Sequence, residues 1–327
     1  MSGLAPAADV LAAGGPRLAD LLERTETRLG ETAAEHGETL AEHVRTTLAA
    51  GGKRLRPTLV YLAAGDAASD ALVEAAVAVE LLHMATLVHD DVLDASAMRR
   101  GKPTVFATGG RVAATATGDL LFSRAFAVLA ATGSADAVRI LSRASSALAR
   151  GELMQREDAW STSVTTERYL ERCRLKTARL FQAACRLGAV LGAPGEAAAD
   201  GLGEFGERIG VGFQILDDVL DVSGPPERTG KPRGTDLLDG TVTLPLILAR
   251  DRDAGIAGID LRAVVTDGAA AAALCDRIAA TGALDDARTD ALEHVAAGKR
   301  ALDGLALSSE QRGLLDLAAD SAVERYA

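Results

Sequence analysis

Aromatic residues are scarce in this chain, at 3% of its 327 residues. Long alternating runs of β-branched residues are missing as well. Together these absences argue against a sheet protein and leave Ala- and Leu-rich helices. Only Cys173, Cys185 and Cys275 carry thiols. They are too few and too scattered for a disulfide framework or a zinc site, and read as buried, reduced thiols of a cytoplasmic protein. Positive charge is outweighed, with a formal net charge of −11, which excludes a general nucleic-acid surface. No uninterrupted apolar run reaches the ~20 residues of a membrane span, so none is expected. Residues 1–15 are small and apolar but lack the basic start of a signal peptide. They are expected to form a loose N-terminal tail.

What is present is helical periodicity. The chain is 48% hydrophobic, and apolar patterns recur from about residue 17 to the end. The expectation is a single all-α domain over residues 16–327, a bundle of roughly ten or more helices. The stretch Leu72–Asp94 is apolar nearly all round, which predicts a central, buried helix. Leu202–Asp221 reads as a second one, stopped by Gly224-Pro225-Pro226. Gly151-Glu152 is expected to interrupt the helix begun at Ile140, and Thr165-Thr166-Glu167 resembles a helix start.

These two central helices end in near-copies of one pentapeptide. Asp90-Asp91-Val92-Leu93-Asp94 closes the first, and Asp217-Asp218-Val219-Leu220-Asp221 the second. On a helix the outer aspartates of each copy share a face, with roughly 5–6 Å between their Cβ atoms. Like charges at that spacing are mildly destabilising. A hard divalent cation supplies the reason, and Mg²⁺ takes one or two carboxylates and completes its shell with water and phosphate oxygens.

Basic, glycine-containing stretches accompany both copies. Gly51-Gly52-Lys53-Arg54-Leu55-Arg56-Pro57 puts three cations within four residues, ahead of a proline suited to a first helical turn. Glycine permits close backbone approach, Arg grips phosphate bidentately, and Lys acts as a point charge. Arg99-Arg100-Gly101-Lys102-Pro103 follows the first acidic segment, and Gly230-Lys231-Pro232-Arg233-Gly234 the second. Cations beside an acidic metal cluster suit a metal-bound polyanion. His83 precedes Asp90 by two turns on a similar face, and Gln214 borders the second acidic face. Lys176-Thr177 says little by itself.

With these residues assembled, the chain resembles the trans (E) polyprenyl diphosphate synthases from about Gly51 to Pro245, with the motifs in order. The resemblance implies an isoprenoid synthase bundle around a deep cavity, with the two acidic segments facing each other at its mouth, and a cytoplasmic homodimer. Its partners would be isopentenyl diphosphate and an allylic prenyl diphosphate, and its cofactor Mg²⁺, three ions per active site. Asp90, Asp94 and Asp217 would bind the ions, supported by Asp91, Asp218 and Asp221. Asp90, Asp94, Asp217 and Lys176 would carry the catalysis. Arg99, Lys176, Thr177, Gln214 and Lys231 would contact the allylic substrate. Gly52, Lys53, Arg56, His83 and Arg100 would hold isopentenyl diphosphate. One position departs from the pattern: many relatives have Gly-Lys where this chain has Gly240-Thr241.

In the same family, bulky side chains about one turn before the first aspartate form a cavity floor. Here those positions are Thr86 and Ala85, and Leu81 and Leu82 lie one turn deeper, ~5.4 Å away. The acidic segment also has no two-residue insertion. Both features imply a product of geranylgeranyl length or longer. A class I terpene cyclase would share the first acidic segment, but it has no need of an isopentenyl site such as Lys53 and Arg56. A non-catalytic subunit of a heteromeric synthase is the other alternative. Such subunits usually lose aspartates, and both segments are complete here.

Overall fold

The computed structural model describes residues 5–34, 38–49, 54–99, 101–224 and 233–324. They are helical nearly throughout, as the composition implies. The helices are α1 (Ala5–Ala34), α2 (Glu38–Ala49), α3 (Leu55–Ala63), α4 (Asp70–Leu93), α5 (Val105–Ala130), α6 (Ala135–Asp158) and α7 (Thr166–Cys173). A π turn (Arg174–Ala178) leads into α8 (Arg179–Leu191), which is followed by α9 (Glu196–Ser223). Then come α10 (Thr235–Leu238), α11 (Leu244–Arg252), α12 (Ala254–Ala257), α13 (Leu261–Val264), α14 (Gly268–Ala280), α15 (Ala283–Ala301) and α16 (Ser309–Glu324). Among the described residues the only sheet is a two-stranded antiparallel hairpin, β1 (Met98–Arg99) with β2 (Lys102–Pro103). Gly101 turns it with φ of 75°, a value that glycine adopts without steric cost.

The chain divides into two compact units. The first comprises Met1–Ser145, Leu180–Gly206 and Ala301–Ser321. Its centre is α4, in contact with α1, α2, α3 and α5. Ser69 caps α4 by accepting the Leu72 N–H at 3.4 Å, and Asp70 complements the dipole of its first turn. Leu72, Leu81, Leu82 and Ala85 are fully buried, as the all-round apolar sequence predicts. From α16, Gln311 donates to Leu62 O (3.0 Å) and Ala63 O (3.2 Å), closing the end of α3. Two local readings change here. Residues 5–14, expected as a loose tail, are helical, and the break comes at Gly15 (φ 62°) before Pro16. By length and composition, α4 and α5 are also apolar enough to cross a membrane. Counting only uninterrupted apolar residues hid this, because each stretch includes a charged residue or two. In α4, 72% of that stretch is buried inside the protein, as in a core helix; in α5 the share is 39%.

The second unit comprises Ser146–Arg179, Glu207–Arg300 and Ala322–Ala327. Thr165 caps α7 by accepting the Arg168 N–H at 3.2 Å, which realises the start signal in the sequence. The buried Arg172 bonds Asp158 (3.5 Å) and the Val242 carbonyl. The helix α6 runs straight through Gly151-Glu152, where an interruption was expected. A Cβ on Gly151 would lie 2.5 Å from the Lys176 backbone nitrogen. The glycine is there for close helix approach, not for a break.

Candidate active site

In the first unit, Asp90 occupies the last turn of α4 and Asp94 is its C-cap, with the Asp94 N–H donating to Asp90 O at 2.8 Å. A helix C-terminus carries the negative end of the macrodipole. Carboxylates placed there repel both each other and the dipole, and a cation offsets both effects. Between them Asp91 turns inward, with 5% of its surface exposed, and accepts a hydrogen bond from Arg99 Nε at 2.8 Å. Burial raises the pKa of its carboxyl, and the Arg99 guanidinium opposes that rise. Arg99 reaches it because the β1–β2 hairpin folds back beside the end of α4. Arg99, His83 and Asp91 line one small cleft together with Arg54, Glu80 and Thr46. His83 and Arg99 thus line the same cleft. His89 packs on α5, its Nε2 lying 3.2 Å from Asp119, and Gly118 leaves room for its ring.

The basic turn before α3 divides its labour. Arg54, at φ 48°, is held by Glu26 and by the buried Glu80 (2.8 Å), so it anchors the turn. The Arg56 guanidinium lies over the Phe181 ring, 4.6 Å from the centroid, a contact that orients it. Gly52, Lys53, Arg100 and Lys231 lie outside the described residues.

In the second unit, Asp217, Asp218 and Asp221 fall in the last two turns of α9, again at the negative helix end. Asp217 is partly exposed. Asp218 and Asp221 are buried, at 4% and 2% exposure. Asp218 accepts hydrogen bonds from Tyr169 Oη and Gln214 Nε2, each at 2.7 Å. Asp221 Oδ2 accepts the Asp236 N–H of α10 at 3.1 Å. Thr177 Oγ1 donates to Gln214 Oε1 at 2.7 Å, and Lys176 pairs with Glu152. Burial disfavours the Glu152 anion, but the charge and hydrogen bond of Lys176 outweigh it and hold the carboxyl below its usual pKa. Gly240, at φ 72°, lies under Trp160, and the Trp160 N–H donates to its carbonyl at 2.7 Å. The departure at Thr241 therefore sits in a fixed turn, its own N–H bonded to Asp236 O at 2.7 Å.

Oxygen-only donors at two negative helix ends suit a hard divalent cation. Among the described residues no three metal-ligating side chains converge as a ready-made cage. A hard divalent cation of the Mg²⁺ kind takes few protein ligands and completes its shell with water and phosphate. Sequence reasoning missed Glu80, Glu152 and Tyr169. Glu80 could have been flagged as a lone charge in an apolar helix, and Tyr169 as a polar-tipped residue two turns before Lys176.

The family model described as polyprenyl synthetase matches residues 37–276. The chain is 39% identical over 304 residues to the heptaprenyl diphosphate synthase component 2 of Geobacillus stearothermophilus, covering 92% of this chain and 95% of that protein. It is 37% identical over 279 residues to the geranylgeranyl diphosphate synthase of Methanosarcina mazei, covering 82% and 85%. Among solved structures, the polyprenyl synthase of Caulobacter crescentus CB15, complexed with calcium and isoprenyl diphosphate, matches with a TM-score of 0.86. The identity there is 36%, over 95% of this chain and 98% of that one.

Proposed function

This chain belongs to the polyprenyl synthetase family and has the all-α isoprenoid synthase fold, and from that premise we propose that it condenses isopentenyl diphosphate with an allylic diphosphate. The product is an all-trans polyprenyl diphosphate of geranylgeranyl length or longer. The observation that carries this reading is the pair of complete acidic segments at negative helix ends, with Arg99 bonded to Asp91 in one unit and Thr177 joined through Gln214 to Asp218 in the other.

Asp90, Asp94 and Asp217 hold Mg²⁺, while Asp91, Asp218 and Asp221 are fixed by protein donors and keep the segments in shape. Bound Mg²⁺ supplies charge neutralisation for the departing diphosphate. Lys176, Thr177, Gln214, Arg99 and Lys231 bind and orient the allylic diphosphate. Gly52, Lys53, Arg56, His83 and Arg100 hold that of isopentenyl diphosphate. The allylic C–O bond ionises, the isopentenyl double bond attacks C1, and the released diphosphate takes the proton lost from the new chain. No side chain has to act as a strong base, and the apolar α4 wall keeps water from the cation. The chain acts in the cytoplasm as a homodimer, a reading supported by the exposed Val112 (83%) and Phe122 (37%) on α5, which a second copy would cover.

The test is a product assay with purified protein, Mg²⁺ and labelled isopentenyl diphosphate, primed separately with dimethylallyl, geranyl and farnesyl diphosphates. A ladder ending at geranylgeranyl length or beyond is expected. Ala85→Phe should shorten the product, and an unchanged length would remove the floor formed by Leu81 and Leu82. Relatives named component 2 favour a second reading, a subunit that works only with another chain. No product from any primer would support it.

A further inference from the structure

The second acidic segment and Thr177 are joined by one chain of hydrogen bonds. Thr177 Oγ1 donates to Gln214 Oε1, and Gln214 Nε2 donates to Asp218 Oδ1. Tyr169 Oη donates to Asp218 Oδ2. All three distances are 2.7 Å. Each oxygen of Asp218 therefore has one donor, and the amide of Gln214 has one orientation that satisfies both neighbours. Thr177 sits in the π turn, where the Arg179 N–H reaches back five residues to Arg174 O. An α-helical register would rotate the following residues by about 100°, given 3.6 residues per turn. Tyr169 is fully buried, two turns before Lys176 on the same run. A buried phenol needs a partner for its hydroxyl, and this one spans 49 positions of sequence to find it.

We propose that Tyr169 is a positioning residue for the second acidic segment, fixing Asp218, which Gln214 in turn ties to Thr177. The inference rests on the proposed reading that Asp217 and its neighbours hold Mg²⁺ and that Lys176 and Thr177 bind the allylic diphosphate. The physical reason is torsional. Asp218 is adjacent to Asp217 on α9, and a carboxylate with a donor on each oxygen cannot swing toward the metal face. Asp217 is thus left as the outward ligand, with its neighbour's carboxyl held away from it. Partners of this kind, one shell out from a metal, typically change its affinity by about ten- to a hundredfold when removed.

The test is Tyr169→Phe, which keeps the ring and deletes one donor. Mn²⁺ binding would be titrated by electron paramagnetic resonance in the presence of inorganic diphosphate. Separately, the Mg²⁺ dependence of turnover would be measured along with KM for isopentenyl diphosphate. The expected result is about tenfold weaker Mn²⁺ binding and a matching rise in the Mg²⁺ needed, with KM for isopentenyl diphosphate within about twofold. Unchanged Mn²⁺ affinity in a folded variant overturns the proposal. A second pair guards against a variant that does not fold: Thr177→Val removes the donor to Gln214, and Thr177→Ser keeps it. Weaker Mn²⁺ binding in the first, restored in the second, supports the network; equal behaviour of the two overturns it. A wild-type protein that binds Mn²⁺ and diphosphate but makes no product would instead count against the proposed function.

Discussion

The two acidic segments share the five residues Asp-Asp-Val-Leu-Asp, yet their middle carboxylates live in different surroundings. Asp91 is neutralised by a cation, Arg99, eight positions on. Asp218 is held by two neutral groups, Tyr169 and Gln214. Burial raises both carboxyl pKa values. At Asp91 the charge of Arg99 is the first influence to pull back, whereas at Asp218 the hydrogen bonds of Tyr169 and Gln214 come first and the charge of Arg172 adds less. A repeated motif therefore fixes what faces outward and leaves its support to whatever packs behind. One segment carries its support in adjacent sequence; the other depends on a helix far away in the chain.

The largest effect that tests this contrast comes from the outward aspartates. If each segment holds metal for the reaction, Asp90→Ala and Asp217→Ala should each lower turnover by at least about 10²–10³-fold. The fold should survive in both, since removing one of two like charges four residues apart stabilises a helix by a few tenths of a kcal/mol. Steady-state kinetics and circular dichroism check this. Near-normal turnover in one variant alone would show that the segments are unequal in function as well as in surroundings.

A smaller effect separates the two units through their glycines. Gly151→Ala places a Cβ 2.5 Å from Lys176 N and 2.8 Å from its Cα. Backbone cannot step aside, so a cost of about 2–3 kcal/mol is expected, with a raised KM for the allylic substrate as Lys176 shifts. Gly118→Ala places a Cβ 2.3 Å from His89 Nε2, but that half-exposed ring can swing out and give up only its contact with Asp119. About 1 kcal/mol or less is expected. Urea midpoints compare them, and an equal loss would mean that His89 is as immobile as the backbone.

How much of this was legible follows the same division. The helices, the central place of α4 and the acidic repeats all follow from spacing within one element or its neighbour. Tyr169 meeting Asp218, and Glu80 meeting Arg54, depend on packing between distant segments, and no local pattern encodes those pairs. Gly151 was misread for the same reason. A glycine that breaks a helix and one that admits a neighbouring backbone look identical in sequence, and only the 2.5 Å approach to Lys176 N distinguishes them.

The smallest effect concerns acid. His294 on α15, in the second unit, has no hydrogen-bond partner for Nδ1 among the described residues. Burial, with Arg208 and Arg174 adding to it, lowers its pKa from 6.5 to about 4. The folded protein thus binds fewer protons there than the unfolded chain. The stabilising contribution is complete above pH 6.5 and is lost as pH falls from 6.5 toward about 4. Allowing for the partial exposure of the ring, the loss is on the order of 1–2 kcal/mol. His294→Gln should flatten this limb: wild type and variant should converge in thermal midpoint as pH drops from 7 to about 4.5, chelator being present throughout to keep metal binding out of the measurement. If their difference instead stays constant over that range, the acid sensitivity arises from the carboxylates and not from the second unit's buried histidine.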